Sequence, residues 1–171
     1  EEYKMKIIIV GDGKVGATLV EHLSLEGHDI IVIDRDQKVI EQIVNSYDVM
    51  GVCGNGASYE VQLEAGVGDA QLFVAATSSD ELNILSCLMA KKAGAEHTIA
   101  RVRNPDYLNQ VPFFKDELGL SMIVNPELDA ANEIAKVLRF PNAINIETFY
   151  RGLVDLAEVK IDAGNPLCDM Q

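Results

Sequence analysis

The stretch KIIIVGDGKVG, residues 6–16, decides how this chain folds. An apolar run is followed at once by glycines at positions 11, 13 and 16, which is the G-x-G-x-x-G spacing of a phosphate-binding turn. The first glycine allows a tight turn, the second lets a pyrophosphate approach the backbone, and the third lets helix and strand pack closely. The following helix offers N–H groups and partial positive charge to phosphates. The candidate contacts are Gly11, Asp12, Gly13, Lys14, Val15 and Gly16, and a glycine-rich turn without a ligand is the alternative.

A carboxylate stands where the ribose of a dinucleotide would need one. The apolar run DIIVID, residues 29–34, ends on Asp34, 18 positions after Gly16, close to the roughly 20 typical of ribose recognition. Its two oxygens can accept both hydroxyls of a ribose diol and would repel a 2′-phosphate, which favours NAD(H) over NADP(H). Arg35 leaves this choice open, because an arginine there can accommodate a 2′-phosphate or lie over the adenine. A solvated strand-end aspartate is the alternative for Asp34. Asp12 would be unfavourable beside a pyrophosphate, so we expect its side chain to point to solvent.

The periodicity of residues 5–125 predicts one α/β domain. Short apolar runs alternate with amphipathic stretches, which is typical of βαβ units on a parallel sheet. Six strands with interleaved helices fit a Rossmann-type doubly wound parallel sheet. The predicted strands are Lys6–Val10, Asp29–Asp34, Val49–Cys53, Leu72–Thr77, Thr98–Val102 and Met122–Val124. The predicted helices are Lys14–Glu26, Gln37–Tyr47, Tyr59–Ala65, Asp80–Ala93 and Asp106–Leu118, and Pro112 leaves the continuity of the last one open.

Polar loops follow the third and fourth predicted strands. Ligands of open α/β sheets bind outside the carboxyl ends of the strands, so we expect the loops Cys53–Ala57 and Ala76–Glu81 to flank the ligand. Asp80 either faces this cleft or caps the helix that follows it. The apolar stripe of that helix is predicted to consist of Leu82, Leu85, Leu88 and Met89.

Two arginines follow the fifth strand. Arg101 and Arg103 alternate around Val102, so one of them should face the cleft and the other should lie at the surface. An arginine in the cleft would present a fixed fork of donors, which suits a phosphate or a carboxylate.

The tail beyond residue 125 changes character. A helix is predicted over Glu127–Phe140, ended by Pro141-Asn142, and two strands over Ile144–Tyr150 and Leu153–Ile161. Two strands alone are marginal in water. Residues 142–171 are therefore expected to be the incomplete start of a small α+β subdomain, or else the hairpin packs on something else. The apolar stripe of the helix consists of Leu128, Ala131, Ile134, Ala135 and Leu138.

Composition excludes several classes of function. A net charge of −13 argues against nucleic acid, whose phosphates favour basic surfaces, and against anionic membrane surfaces. Apolar runs are far shorter than the roughly 20 residues of a membrane span, so no direct membrane insertion is expected. Cys53, Cys87 and Cys168 are widely spaced and the three histidines are isolated, so no metal site is expected. Unpaired thiols are typical of a reducing compartment.

The sequence resembles a known protein family. The motifs KIIIVGDGKVG, VIDRD, GNGA, ATSSDELNILSCLMAKKAG, ARVRNPDY and VNPE, in this order, look like the TrkA-type regulatory subunits of Trk/Ktr potassium uptake systems, whose domain is called RCK or KTN. The resemblance covers about Met5–Phe140. It implies a cytoplasmic protein, peripheral at the inner face of the membrane, that forms homodimers or homotetramers beneath an integral-membrane potassium transporter or channel.

The same resemblance implies a ligand and its contacts. The ligand would be NAD(H), with ATP or ADP as the other possibilities, and residues 126–141 would be a crossover helix to a partner subunit. The implied nucleotide contacts are Gly11–Val15, Asp34, Asn55, Thr77, Ser78 and Arg101.

Three functions compete at this stage: a nucleotide-sensing regulator, the cofactor-binding domain of an NAD-dependent dehydrogenase, and a structural scaffold. A dehydrogenase needs a proton donor or acceptor beside the nicotinamide. No tyrosine has a lysine four positions later, and no histidine falls in a predicted cleft loop. We therefore expect a regulator without catalytic residues.

Overall fold

The computed structural model describes residues 4–140, 143–149 and 154–161. The chain divides into two compact units, Glu1–Asn125 and Pro126–Gln171.

The first unit is built on a six-stranded parallel sheet in the order β3-β2-β1-β4-β5-β6. This is the doubly wound order, in which the chain reverses its direction of travel between β1 and β4. The predicted fold class is confirmed. All six strands point the same way, so their carboxyl ends lie along one edge of the sheet. The strands are β1 Lys6–Val10, β2 Asp29–Asp34, β3 Met50–Cys53, β4 Leu72–Ala75, β5 His97–Arg101 and β6 Met122–Val124.

Helices connect these strands. The predicted helix Asp106–Leu118 is two short helices, since Asn104 caps the first and Pro112 lies in the first turn of the second. Proline is tolerated in a first turn, where no intrahelical N–H is needed, but not in the middle of a helix. The helices are α1 Lys14–Leu25, α2 Gln37–Ser46, α3 Tyr59–Glu64, α4 Asp80–Ala93, α5 Pro105–Leu108 and α6 Val111–Asp116, with a 3₁₀ turn over Val67–Asp69.

The core lies on both faces of the sheet. Successive side chains of a strand point to opposite faces, so the continuous apolar runs of β1 and β2 fill both layers. This burial on both sides explains why these strands read as uninterrupted Ile and Val. One cluster contains Ile8, Val10, Phe73, Cys87 and Ala90, and the other contains Ile7, Ile9, Val20, Ile40 and Ile43.

The predicted stripe of α4 is wrong. Leu85 is 47% exposed, and the other three leucine and methionine positions are only partly buried. The buried residues of the helix are instead Asp80, Asn83, Ser86, Cys87 and Ala90. Small side chains on this face fit against the sheet, and the polar side chains of Asp80 and Asn83 find partners beyond or at the ends of β4 and β5.

The second unit contains a helix and a hairpin. Helix α7 spans Pro126–Arg139 and has no buried residue, and β7 Ala143–Phe149 pairs antiparallel with β8 Val154–Val159. The predictions made for Pro141-Asn142, Tyr150, Leu153 and Cys168 lie outside the described residues. Within the described ranges no helix is long and apolar enough to cross a membrane.

Candidate functional site

A cavity of about 530 Å³ opens at the carboxyl ends of β1, β2 and β4. Its volume is within the range of small-molecule sites. Most of the candidate residues meet here, with Gly16 and Asn55 as the exceptions. The lining residues are Val10, Gly11, Asp12, Gly13, Lys14, Val15, Ile33, Asp34, Arg35, Gly54, Gly56, Ala76, Thr77, Ser78, Ser79, Leu82 and Arg101.

In the loop Gly11–Gly16, called the glycine loop, each glycine has a different structural role. Gly11 has φ +89°, and a Cβ there would come within 2.9 Å of Thr77 Cγ2. A Cβ on Gly16 would stand 1.9 Å from the carbonyl oxygen of Gly11, so only glycine lets α1 pack this closely. A Cβ on Gly13 would meet no protein atom within 4 Å. Gly13 is thus open to an approaching ligand.

Helix α1 begins at this loop without a capping side chain. Gly13 occupies its N-cap position, whereas Asp36 and Ser79 cap α2 and α4 with side-chain oxygens. The first N–H groups of a helix have no intrahelical partner and need one from elsewhere. An anion bound above Gly13 would satisfy these N–H groups, so the local geometry fits the phosphates of a nucleotide.

Asp34 is held in place by the backbone. Its Oδ2 accepts the N–H of Asp12 at 3.0 Å, and its Oδ1 accepts the N–H of Asp36 at 2.9 Å. A carboxylate offers about four acceptor positions, so each oxygen keeps room for one further donor. The side chain at the end of β2 is therefore oriented to accept two hydroxyls.

Asp12 differs from the expectation that it points to solvent. Its side chain is partly buried, and Oδ1 has no hydrogen-bond partner. Burial, and secondarily the charge of Asp34, raise the pKa of the Asp12 carboxyl. The backbone of the same residue is fixed by the hydrogen bond from the Asp12 N–H to Asp34.

The ends of β4 and β5 are joined by Asn83. Its Oδ1 accepts the Thr77 N–H at 2.8 Å and lies 2.7 Å from the Thr77 hydroxyl. Its Nδ2 donates to the carbonyl oxygens of Thr77 at 3.2 Å and Arg101 at 2.8 Å. Strand β4 ends at Ala75 rather than the predicted Thr77 because this side chain takes over the backbone pairing of Thr77.

Of the two arginines, Arg101 lines the cavity, and its Nη1 donates to the Thr77 carbonyl at 3.4 Å. Arg103 is not merely a surface residue. Its guanidinium donates to the carbonyl of Ser78 and has Nε 3.6 Å from Asp80 Oδ1.

Asp80 neither lines the cavity nor caps its helix. The cap is Ser79, whose hydroxyl accepts the Leu82 N–H. Asp80 Oδ2 accepts the N–H groups of Arg103 at 2.9 Å and Asn104 at 2.7 Å. The carboxylate thereby holds the loop after β5 against the start of α4.

The loop after β3 contributes backbone rather than its asparagine side chain. Gly54 and Gly56 line the cavity, while Asn55 is exposed and accepts the Ala57 N–H at 3.2 Å. The fully buried amide of Gln62 donates to the Gly56 carbonyl at 2.6 Å and supports this loop from behind.

Asn83 and Gln62 were missed by sequence reasoning. A signal for Asn83 was available: polar and small residues at positions 80, 83, 86 and 87 recur at helical spacing on α4. Gln62 is a single polar residue in a short helix and gives no comparable signal.

The thiol of Cys87 is buried in the apolar core. Burial raises the pKa of the Cys87 thiol to about 12, so it packs as an apolar residue. In the described part of the chain, no group of three or more His, Cys, Asp or Glu side chains could hold a metal ion.

The chain is similar to proteins of potassium uptake. A family model described as the TrkA-N domain matches residues 7–126. The Trk system potassium uptake protein TrkA homolog of Archaeoglobus fulgidus is 38% identical over 161 residues, covering 94% of this chain and 36% of that protein. The homolog of Methanothermobacter thermautotrophicus is 32% identical over 157 residues, covering 92% and 71%. This chain thus spans little more than a third of the Archaeoglobus relative.

Solved structures share the fold at low identity. The TrkA-N domain of the inner membrane protein ybaL from Escherichia coli has a TM-score of 0.70 at 21% identity, covering 81% of this chain and 99% of that chain. The GsuK channel bound to NAD has a TM-score of 0.64 at 18% identity, covering 88% and 26%. The Shewanella denitrificans Kef CTD in AMP-bound form has a TM-score of 0.64 at 21% identity, covering 81% and 83%.

Proposed function

The chain belongs to the TrkA-N domain family, and from this premise we propose that it is a nucleotide-sensing regulatory domain that binds NAD(H) and gates a membrane potassium transporter or channel. The observation that carries the proposal is the cavity over the uncapped start of α1, where the backbone-oriented Asp34 lies beside the glycine loop. Relatives named for potassium uptake support the transport context. The GsuK channel bound to NAD and the Kef CTD bound to AMP support an adenine nucleotide as the ligand.

The adenosine ribose and the pyrophosphate of a dinucleotide have suitable groups in the cavity. Asp34 would accept the hydroxyls of the adenosine ribose, and the open backbone at Gly13 with the first N–H groups of α1 would bind the pyrophosphate. Arg101 would add a charged donor for a phosphate on the far side. The full set of proposed contacts is Gly11, Asp12, Gly13, Lys14, Val15, Asp34, Arg35, Thr77, Ser78 and Arg101, with Gly16 needed for packing and Asn55 at the rim.

ATP and ADP are the competing ligands. The cavity has three cationic side chains, Lys14, Arg35 and Arg101, and two carboxylates, Asp12 and Asp34. The cations attract the extra negative charge of a triphosphate tail and the carboxylates oppose it, so the charges of the lining do not separate these ligands. Titration with each ligand distinguishes them.

The proposed function is regulation without catalysis. No histidine, tyrosine or cysteine is among the described residues that line the cavity, and we assign its ionisable groups Asp12, Lys14 and Asp34 to ligand binding rather than to proton transfer. A dehydrogenase cofactor domain is the alternative function, and steady oxidation of NADH with a small hydroxy or keto acid would favour it.

Regulation requires that the ligand bind two conformations unequally. A nucleotide that spans the glycine loop, Asp34 and the end of β5 contacts both halves of the sheet at once. Its occupancy or redox state would then change how subunits meet. The proposed assembly is a homodimer or homotetramer, joined through the crossover helix of residues 126–141 with residues 142–171 as the start of a C-terminal subdomain, at the cytoplasmic face of a potassium-transporting membrane protein.

The ligand assignment is tested by calorimetric titration of the purified chain with NAD⁺, NADH, NADPH, ADP, ATP and AMP. NADH should bind more tightly than NADPH, and Asp34→Ala should lose about 1–3 kcal/mol of NADH binding, the scale of hydrogen bonds to charged groups. Asp29→Ala is the matched control, because it removes the same charge from the exposed opposite end of β2. Equal affinity of the unmodified protein for NADH and NADPH would reject the role of Asp34.

A further inference from the structure

The described structure contains a side chain that touches two walls of the cavity without lining it. Asn83 is fully buried on α4, and each polar atom of its amide is used. One side of the amide satisfies the N–H and hydroxyl of Thr77, and the other donates to the carbonyls of Thr77 and Arg101. Asn83 thereby bridges Thr77, the second residue after β4, and Arg101, the last residue of β5.

Only an amide meets these requirements. Thr77 presents two donors and one acceptor toward α4, and Arg101 presents a second acceptor. An acceptor and a two-hydrogen donor must therefore stand side by side on one short side chain, which is the arrangement of asparagine. An aspartate of the same shape would place an oxygen against two carbonyl oxygens.

Thr77 in turn is packed against the glycine loop. A Cβ on Gly11 would come within 3.0 Å of the Thr77 Cα and 2.9 Å of its Cγ2. The guanidinium of Arg101 also donates to the Thr77 carbonyl. A shift of Thr77 would therefore displace both the glycine loop, which is proposed to bind phosphates, and the guanidinium of Arg101.

We propose that Asn83 is a positioning residue of the nucleotide site, which sets the placement of Thr77 and of the Arg101 guanidinium toward a ligand phosphate. The inference rests on the proposed function. It goes beyond that function because it gives an effect on ligand affinity to a residue that does not contact the ligand. A purely structural role would give Asn83 an effect on stability but none that depends on Arg101.

A double-mutant cycle with NADH separates these roles. Asn83→Asp should weaken NADH binding at least tenfold, and Arg101→Ala should weaken it to a similar degree. In the Arg101→Ala background, Asn83→Asp should lose the part of its effect that acts through the guanidinium, so the two losses should be less than additive. The backbone carbonyl that Asn83 contacts is still present in that background.

The control is Thr98→Val, at the other end of β5. The Thr98 hydroxyl is also fully buried, and it accepts the Ser121 N–H at 3.3 Å. This variant should lower the melting temperature and leave NADH affinity within twofold. If circular dichroism shows that Asn83→Asp does not fold, Asn83→Ser replaces it in the double-mutant cycle.

The outcomes distinguish this inference from the proposed function. If the unmodified protein binds none of the nucleotides, the proposed function fails. If it binds NADH but the Asn83 variant binds equally well, or the two losses are fully additive, the positioning role is overturned.

Discussion

The ionisation of Asp12 is the residue-scale feature that bears most directly on ligand charge. One of its carboxylate oxygens is buried without a hydrogen bond, and burial and then the neighbouring Asp34 raise its pKa. Between the ordinary pKa and the raised one, the folded chain holds more protons than the unfolded chain. The free energy of unfolding therefore falls as the pH rises through this window. The stabilising contribution of the protonated Asp12 is fully present below the ordinary pKa.

A phosphate bound at the glycine loop adds another negative charge beside Asp12, so binding should favour the protonated carboxyl. We expect NADH affinity to fall as the pH rises through the raised pKa of Asp12. Asp12→Asn should abolish this dependence and bind NADH roughly fivefold tighter at pH 7, about 1 kcal/mol for a screened charge pair. Titrations that begin near the ordinary pKa of an aspartate and extend to pH 7 measure both effects. Weaker binding by Asp12→Asn would show instead that the carboxylate accepts a hydrogen bond from the ligand.

At the scale of elements, two glycines of the β1–α1 turn have different roles. Gly16 is needed for packing, and Gly13 is proposed to admit the ligand. Gly13 has φ −71° and an open environment, so Gly13→Ala should fold with a stability within about 1 kcal/mol of the unmodified protein. The added methyl group would occupy the space through which a phosphate approaches. We expect at least a tenfold loss of NADH affinity.

Gly16→Ala is the matched comparison, because its Cβ would collide with the backbone of Gly11. This variant should lose both melting temperature and affinity. Thermal melts and titrations of the two variants side by side provide the measurement. Undiminished NADH binding by Gly13→Ala would mean that phosphates do not approach the loop at this position.

The elements also show where sequence reasoning succeeds. The bounds of β1, β2, α4 and β6 were predicted as they stand in the structure. Burial on both faces gives β1 and β2 continuous apolar runs, and Ser79 and Gly94 mark the two ends of α4. Most other boundaries differ by one or two residues. Ligands lie at the carboxyl ends of parallel strands. This rule predicted that one site would contain the glycine loop, Asp34 and Arg101.

The failures have a common physical cause. Periodicity identifies the largest apolar side chains, but a helix that packs closely on a sheet needs small ones, such as Cys87 and Ala90 on α4. Buried polar residues such as Asn83 and Asp80 are explained by partners about 20 residues later in the chain, at the end of β5 and in the loop after it, which a one-dimensional pattern does not contain. The partial burial of the Asp12 side chain is likewise a property of the folded turn, which the sequence pattern does not contain.

At the scale of the whole molecule, the exposed face of α7 is the feature that a single chain leaves unexplained. The helix has no buried residue, although its sequence is amphipathic. An exposed apolar stripe of this kind marks an interaction surface or an aggregation liability. The exposed apolar side chains are Leu128, Ile134, Val137 and Leu138, at 46–75% exposure.

A two-fold interface would cover this stripe, since each copy then presents the same patch to the other. Under the proposed assembly, replacing Ile134 and Leu138 together by Asp should convert oligomers to monomers, because four charges would face each other across the interface. Leu25→Asp, an equally exposed leucine on α1, should leave the assembly intact. NADH affinity should survive in both variants, since the cavity lies within residues 10–101. Static light scattering gives the mass of each, and an unmodified chain that is monomeric at millimolar concentration would refute the interface.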